Sequence, residues 1–219
     1  MTTSKVVLSA TLLLAASLSR SANAAAVALN FAGSGVSANI QLTYGPATDA
    51  KYPQAFEVTG ITGVFSDTNN GLGIVNAPVG PLEPIKHDTP EPTNLLAPSD
   101  FSRFAVAAGL PVENNGFLTY DNLYYPSGSP QTASDYPLHG GVLDIYGLMF
   151  DIGGGRVVNL WSNGTISGSG VGPIYGAAVA TSGTALDYAG GLSLTPEPGT
   201  LALLGGGLIV FLLAKKRGV

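Results

Sequence analysis

Alternating apolar and polar residues run through much of the middle of this chain. Between residues 36 and 44 every second side chain is apolar: Val36, Ala38, Ile40, Leu42 and Tyr44. A period of two is typical of a strand buried on one face. In residues 55–66 the apolar positions change parity at Gly60. This change predicts a β-bulge or bend at that glycine.

The same pattern, punctuated by glycine and asparagine turns, predicts further strands at 26–31, 72–76, 117–125, 141–151, 156–162, 174–181 and 185–194. Residues 99–108 differ, because Phe101, Phe104, Ala105 and Ala108 have helical spacing behind the N-cap candidate Ser99. We therefore expect an all-β domain, an antiparallel β-sandwich or jelly-roll-like fold, with one short helix.

The N-terminus has the pattern of a secretory signal peptide over residues 1–24. Lys5 precedes an apolar stretch from Val6 to Leu18, and Ala22 and Ala24 supply the small residues of a cleavage site. Cleavage there would leave Ala25 as the mature N-terminus. The expected partners of this segment are the Sec translocon and signal peptidase.

The C-terminus combines three features in a fixed order. Pro196, Glu197 and Pro198 come first, the uncharged run Leu201–Ala214 follows, and the basic residues Lys215, Lys216 and Arg217 come last. Prolines hold a segment extended, as a protease substrate must be. The basic cluster would hold the end of the chain on the cytoplasmic side of a membrane. The apolar run of 14 residues is short for a lasting transmembrane anchor.

This tail resembles the PEP-CTERM sorting signal, which combines a Pro-Glu-Pro motif, a short transmembrane helix and a terminal basic cluster. The resemblance implies recognition by an exosortase, a membrane-embedded cysteine transpeptidase-like enzyme, with cleavage near Pro196–Pro198. Family members occur in Gram-negative bacteria that make extracellular polysaccharide. More loosely, the exported region resembles uncharacterised PEP-CTERM proteins in runs such as Tyr44–Pro46, Phe65–Gly71 and Tyr120–Tyr124.

The chain contains an internal control for the motif. Thr89–Pro92 repeats the residues of Thr195–Pro198, but neither an apolar span nor a basic cluster follows it. The order of features, and not the tetrapeptide alone, therefore predicts sorting. We expect three parts: a signal peptide at 1–24, a β-sandwich domain at 25–194, and a sorting tail with a transmembrane helix at 195–219.

Composition narrows the chemistry of the exported domain. The chain has no cysteine, which excludes disulfides, thiolate metal sites and thiol catalysis. Residues 25–194 hold four basic and thirteen acidic side chains, a formal charge of −9. So acidic a domain repels phosphate backbones, and we expect no nucleic-acid partner.

Two groups of residues, one polar and one aromatic, suggest binding sites. Asp67 and Asn69 carry the oxygen ligands that calcium prefers, but the segment fails the EF-hand template and also suits a simple turn. We expect no cofactor otherwise. Tyr124, Tyr125 and Trp161 lie beside loop residues and are candidate glycan contacts if exposed, or core residues if buried.

The function that these features predict is an exported, non-catalytic protein of the cell envelope or extracellular matrix, anchored in the inner membrane before processing. One alternative is a carbohydrate-binding module for exopolysaccharide. Another is a secreted polysaccharide hydrolase, for which Asp144 and Asp151 are candidate carboxylates, although their spacing places them on opposite parities of one predicted strand.

Overall fold

The computed structural model describes residues 24–48, 52–85, 102–106, 117–132, 137–168, 170–181 and 184–195. These ranges contain eleven strands and one 3-10 turn, Asn69–Gly71. The strands are β1 Ala25–Gly33, β2 Val36–Thr48, β3 Phe56–Asp67, β4 Ile74–Pro78, β5 Ser102–Val106, β6 Phe117–Tyr120, β7 Leu123–Tyr124, β8 Leu148–Asp151, β9 Val157–Gly164, β10 Ile174–Thr181 and β11 Thr184–Thr195.

Nine of the strands form one curled antiparallel sheet in the order β4-β3-β2-β1-β11-β10-β9-β8, with β7 pairing beside β3. The chain after β4 links the two ends of this order. Val79 donates a backbone hydrogen bond to Gly63 of β3 over 2.9 Å, and Gly80 donates one to Asp151 of β8 over 2.7 Å. The predicted all-β antiparallel class is therefore confirmed.

One core fills the inside of the curled sheet, because the inward residues of β1, β2, β3, β8, β9 and β10 face one another. Its largest fully buried members are Phe31, Phe65, Phe150 and Tyr175. Phe31 and Tyr175 meet edge to face with ring centroids 4.9 Å apart. A second cluster covers the outer face of β8–β10 and includes Leu118 and Tyr120 of β6. The central strands β9 and β10 are consequently buried on both faces.

Strand patterning and the bulge are confirmed. Val36, Ala38, Ile40 and Leu42 are all buried on β2. The β2–β3 ladder slips where Thr43 pairs with Gly60 and Tyr44 pairs with Val58, so Thr59 is the extra residue of a bulge. The bulge turns both Val58 and Ile61 toward the core, as the change of parity at Gly60 predicts.

The predicted helix over 99–108 is wrong within the described range. Ser102–Val106 is strand β5, and it pairs with β6 through Ser102–Tyr120 and Arg103–Thr119. Helical spacing of a few apolar residues is a weak signal, and pairing with a neighbouring strand overrides it.

The predicted strand 141–151 is also too long. Only Leu148–Asp151 pairs as a strand, in β8. Before it, the Asp144 side chain accepts the backbone N–H groups of Tyr146 and Gly147, both over 3.0 Å, which removes those donors from a ladder. The positive φ of Gly147, 66°, completes the turn.

Two further predictions concern the ends of the chain. The predicted signal and transmembrane helices lie outside the described residues. Across the ranges that are described, no helix is both long and apolar enough to cross a membrane.

Candidate functional site

The first and last strands of the folded domain lie side by side. β1 begins at Ala25, directly after the predicted cleavage residue Ala24, which is exposed. β11 ends at Thr195, directly before Pro196. The strands pair antiparallel, with Asn30 opposite Thr195, and the Thr195 hydroxyl donates to the Asn30 carbonyl over 3.1 Å. The chain therefore enters and leaves the domain at the same end of the sheet.

The β1–β11 ladder stops short of the start of β1. Residues 25–29 of β1 pair with β2, but β11 joins β1 only from Asn30 onward. Five strand residues correspond to about 17 Å at roughly 3.3 Å each. Pro196 and Pro198 have no N–H to donate, so the residues after Thr195 are poorly suited to extend the ladder. All of the predicted sorting residues, and Ala22 of the predicted cleavage site, lie outside the described ranges. The sorting residues are Pro196, Glu197, Pro198, Lys215, Lys216 and Arg217.

The predicted glycan contacts Tyr124 and Tyr125 are buried, which corrects the prediction. Only 6% of Tyr124 and none of Tyr125 is exposed. Tyr124 packs on Tyr44 with centroids 5.0 Å apart, in the main core. The Tyr125 hydroxyl donates to Asp144 over 3.3 Å. Burial and the neighbouring Asp144 raise the pKa of Tyr125, so it remains a donor. Neither ring offers a face to a sugar.

Trp161 is buried as well, with 4% of its surface exposed. Its ring lies over Gly176 of the next strand, where a Cβ would clash with it, and it packs on Tyr188 with centroids 5.0 Å apart. Its Nε1 donates to the Asn163 side chain over 2.8 Å. The three rings pack in three separate buried clusters, and the exposed aromatic platform of a carbohydrate-binding module is missing at these three positions.

Asp67 and Asn69 form the turn that sequence suggested, at the end of β3. The backbone N–H of Asn69 donates to Asp67 Oδ1 over 2.8 Å, and Asn70 has a positive φ of 49°. This is an Asx turn with asparagine in the left-handed region. Thr68 also ties the turn to the β1–β2 connection, through a hydroxyl bond to the Gly35 carbonyl over 3.1 Å.

A residue that sequence reasoning missed, Asp187 of β11, joins this turn. Asn69 Nδ2 donates to Asp187 Oδ2 over 3.1 Å, and Asn70 Nδ2 donates to Asp187 Oδ1 over 2.6 Å. Asn69 Nδ2 also donates to the Ser34 carbonyl over 2.7 Å. No sequence pattern indicates Asp187, because the large apolar residues of β11 have the opposite parity and its partners lie 117–118 residues away in sequence.

The carboxylates of Asp67 and Asp187 are both buried and influence each other. Asp67 is 1% exposed and Asp187 is 8% exposed, and Asp67 Oδ2 accepts no hydrogen bond from a donor group. Burial is the main cause that raises the pKa of Asp67 to about 6. The Asn69 N–H opposes the shift, while a hydrogen bond from the protonated carboxyl to Asp187 and the charge of Asp187 add to it. We call Asp67, Asp187, Asn69, Asn70 and Ser34 the carboxylate-pair cluster.

A separate cleft of about 490 Å³ lies where β3, the segment after β4 and the β6–β7 connection meet. Its carboxylates are Glu57, Glu83 and Asp121. Asp121 is buried, and its Oδ1 accepts the Leu123 N–H over 3.1 Å. The two carboxylates considered from sequence lie elsewhere: Asp144 is bonded in the turn before β8, and Asp151 accepts the Gly153 N–H over 2.7 Å.

In the described part of the chain no group of three or more histidine, cysteine, aspartate or glutamate side chains is placed to hold a metal ion. A cation bound at the carboxylate-pair cluster would therefore need amide and carbonyl oxygens beside the two carboxylates.

Comparison with known proteins identifies the C-terminal tail. Residues 194–217 match the family model of the PEP-CTERM protein-sorting motif. No curated protein and no solved structure matches the chain. The matched segment begins inside β11 and contains the Pro-Glu-Pro residues, the apolar run and the basic cluster.

Proposed function

We propose that this chain, which carries the PEP-CTERM protein-sorting motif, is a non-catalytic protein of the cell envelope or extracellular matrix. Its tail marks it as an exported protein that exosortase processes at the membrane. In the proposed course, Sec exports it, signal peptidase cuts after Ala24, and the tail holds it in the inner membrane. Exosortase then cuts near Pro196–Pro198, and the domain reaches the cell surface or the polysaccharide outside it.

The observation that carries this proposal is the position of the matched motif, which begins as the last strand ends. Thr195 is still hydrogen-bonded to β1, and Pro196 follows immediately. The two prolines would end the ladder and keep the next residues extended, as a cleavage enzyme requires. Cutting after Thr195 would remove no described strand residue, so the released domain would keep its whole sheet.

The dimensions of the tail support a temporary anchor. Leu201–Ala214 has 14 residues and spans about 21 Å as a helix, against about 30 Å for the hydrocarbon core of a bilayer. A span this short is held less firmly than a full-length one. Because β1 and β11 are neighbours, the signal peptide and the tail would both lead from one end of the domain to the same membrane.

Mass spectrometry of the mature protein tests this proposal in a bacterium that has an exosortase. We expect an N-terminus at Ala25 and a C-terminus near Pro196–Pro198. Glu197→Gln should reduce C-terminal processing at least tenfold, whereas the matched control Glu91→Gln, in the internal Pro-Glu-Pro copy, should leave it unchanged. A released extracellular protein that retains Arg217–Val219 would refute processing.

The cleft favours a second candidate function, hydrolysis of envelope polysaccharide, because Glu57, Glu83 and Asp121 all line it. Glycoside hydrolysis uses a pair of carboxylates on either side of the bond that is cut. The test is release of reducing sugar from the host's own polysaccharide. Activity that is lost in both Glu57→Gln and Glu83→Gln would replace the non-catalytic proposal, and no activity in the wild-type chain would remove this candidate.

A further inference from the structure

We propose that the carboxylate-pair cluster is a calcium site that joins three parts of the fold. Asp67 ends β3, Asp187 lies in β11, and Ser34 lies in the turn between β1 and β2. The site is independent of the sorting tail. It adds a third candidate ligand, Asp187, to the two residues that the sequence suggested, Asp67 and Asn69. The fold brings Asp187 to them from a distant part of the chain.

An unmet acceptor points to a ligand here. Asp67 is 99% buried, one of its oxygens accepts the Asn69 N–H, and the other, Oδ2, accepts no hydrogen bond from a donor group. Within the described part of the chain, only a proton shared with Asp187 would satisfy it. Buried polar atoms are nearly always bonded, and a buried charge normally has a partner. The group near Asp67 is Asp187, another acid, whose proximity opposes the charge on Asp67. A cation between the two carboxylates would bind the unsatisfied oxygen of Asp67 and would offset the repulsion between the two negative charges.

The cluster offers enough oxygen atoms for calcium. The two carboxylates supply up to four, and the Ser34 carbonyl, which now accepts from Asn69, supplies another. Asn69 and Asn70 present Nδ2 to Asp187, and a half-turn of either amide would present its Oδ1 instead. With water, this set reaches the 6–8 oxygen ligands that calcium takes at about 2.3–2.6 Å.

Ligand type selects the metal. The cluster contains neither histidine nor cysteine, so it does not suit zinc or copper. Magnesium requires a near-ideal octahedron and keeps several waters, whereas calcium accepts irregular sets of carboxylates, amides and carbonyls. A site made from one turn, one strand and one loop carbonyl is irregular in this sense.

Binding would fasten the strand that leads to the sorting motif. Ser34 already donates its hydroxyl to the Gly190 carbonyl of β11 over 2.6 Å, and Asn69 and Asn70 reach the same strand at Asp187. A cation on Asp187 and Asp67 would add a link between β11 and the end of β3. Calcium should therefore stabilise the folded chain.

The test uses the full-length chain, purified in mild detergent with a chelator and then dialysed. Calorimetry with calcium chloride should show one ion per chain, with a dissociation constant of roughly 10⁻⁴–10⁻³ M, typical of extracellular modules. About 10 mM calcium should raise the unfolding midpoint by about 3–6 °C, and equal magnesium should raise it less. No binding and no shift in the wild-type chain would overturn the proposal.

Variants identify the ligands. Asp67→Asn and Asp187→Asn should each weaken calcium binding at least tenfold, whereas Asp151→Asn, which changes a turn carboxylate elsewhere, should bind as the wild type does. Should one carboxamide variant fail to fold, the other still decides the result. Wild-type affinity in a folded Asp67→Asn chain would refute the site. A chain that Asp67→Asn stabilises but calcium does not would mean that the pair holds a shared proton and no cation.

Discussion

Two buried aspartates in this domain, Asp144 and Asp67, differ in the hydrogen-bond donors that their carboxylate oxygens receive. Asp144 is 2% exposed and Asp67 is 1% exposed. Asp144 Oδ1 accepts the N–H groups of Tyr146 and Gly147, and its Oδ2 accepts the Tyr125 hydroxyl. Asp67 accepts one N–H through Oδ1, and no donor group bonds its Oδ2.

The difference shows that burial alone does not mark a binding site. Asp144 has donors on both oxygens, and these bonds build the turn that precedes β8, so its role is structural. Asp67 has a buried oxygen, Oδ2, that no donor group bonds, and its neighbour Asp187 is also an acid. What distinguishes a candidate ligand from a structural carboxylate is therefore unmet bonding capacity, which becomes visible only when every partner is placed.

The largest predicted effect concerns the satisfied carboxylate. Asp144→Ala should lower the free energy of unfolding by about 3–4 kcal/mol, because it leaves two N–H groups and a tyrosine hydroxyl without their acceptor. Asp144→Asn keeps Oδ1 and should cost about 1 kcal/mol. Urea unfolding of the full-length chain measures both. A loss under 1 kcal/mol for the alanine variant would mean that the turn does not depend on these bonds.

A smaller effect should distinguish Asp67 by its pH dependence, measured in chelator. The raised pKa means that the folded chain holds the Asp67 proton more tightly than the unfolded chain, whose value is near 3.8. Between pH 4 and 6 the folded state therefore binds more protons, and the free energy of unfolding falls as pH rises. The change between pH 4 and 6 should be roughly 2 kcal/mol, out of about 3 kcal/mol for the whole shift in pKa.

Other carboxylates also titrate in this window, so the informative quantity is the difference between the wild type and Asp67→Asn. We expect the variant to lose that part of the slope and to be the more stable of the two near pH 7. Equal slopes in the two chains would show that Asp67 titrates normally and would remove the electrostatic argument for the pair.

Sequence patterning predicted the strands well, because the signal for a strand lies within the strand. β10 has its predicted bounds, 174–181, and the parity change at Gly60 indicated the bulge at Thr59. The helix over 99–108 failed because a few helically spaced apolar residues also suit a strand, and pairing with β6 decided between them. No local pattern contains that information.

The candidate sites were harder to predict for the same reason. Whether Tyr125 or Trp161 is exposed depends on the segments that cover it, and these lie far away in sequence. Asp187 joins Asp67 because the order of the sheet brings β11 beside β1 and its turn to β2. The large apolar residues of β11, Leu186, Tyr188, Leu192 and Leu194, have the opposite parity to Asp187, so the sequence pattern predicts neither its burial nor its partner.

The smallest predicted effect tests whether the local turn alone explains these aspartates. Asp67, Asp121, Asp144 and Asp151 all accept, through Oδ1, the N–H of the second residue after them. Asp151 makes this bond at the partly exposed end of β8, where water reaches its carboxylate. Asp151→Asn keeps the bond, since asparagine forms the same turn, and should change the free energy of unfolding by less than about 0.5 kcal/mol. A large or pH-dependent change would mean that the turn itself generates the behaviour that we assign to the pairing of Asp67 with Asp187.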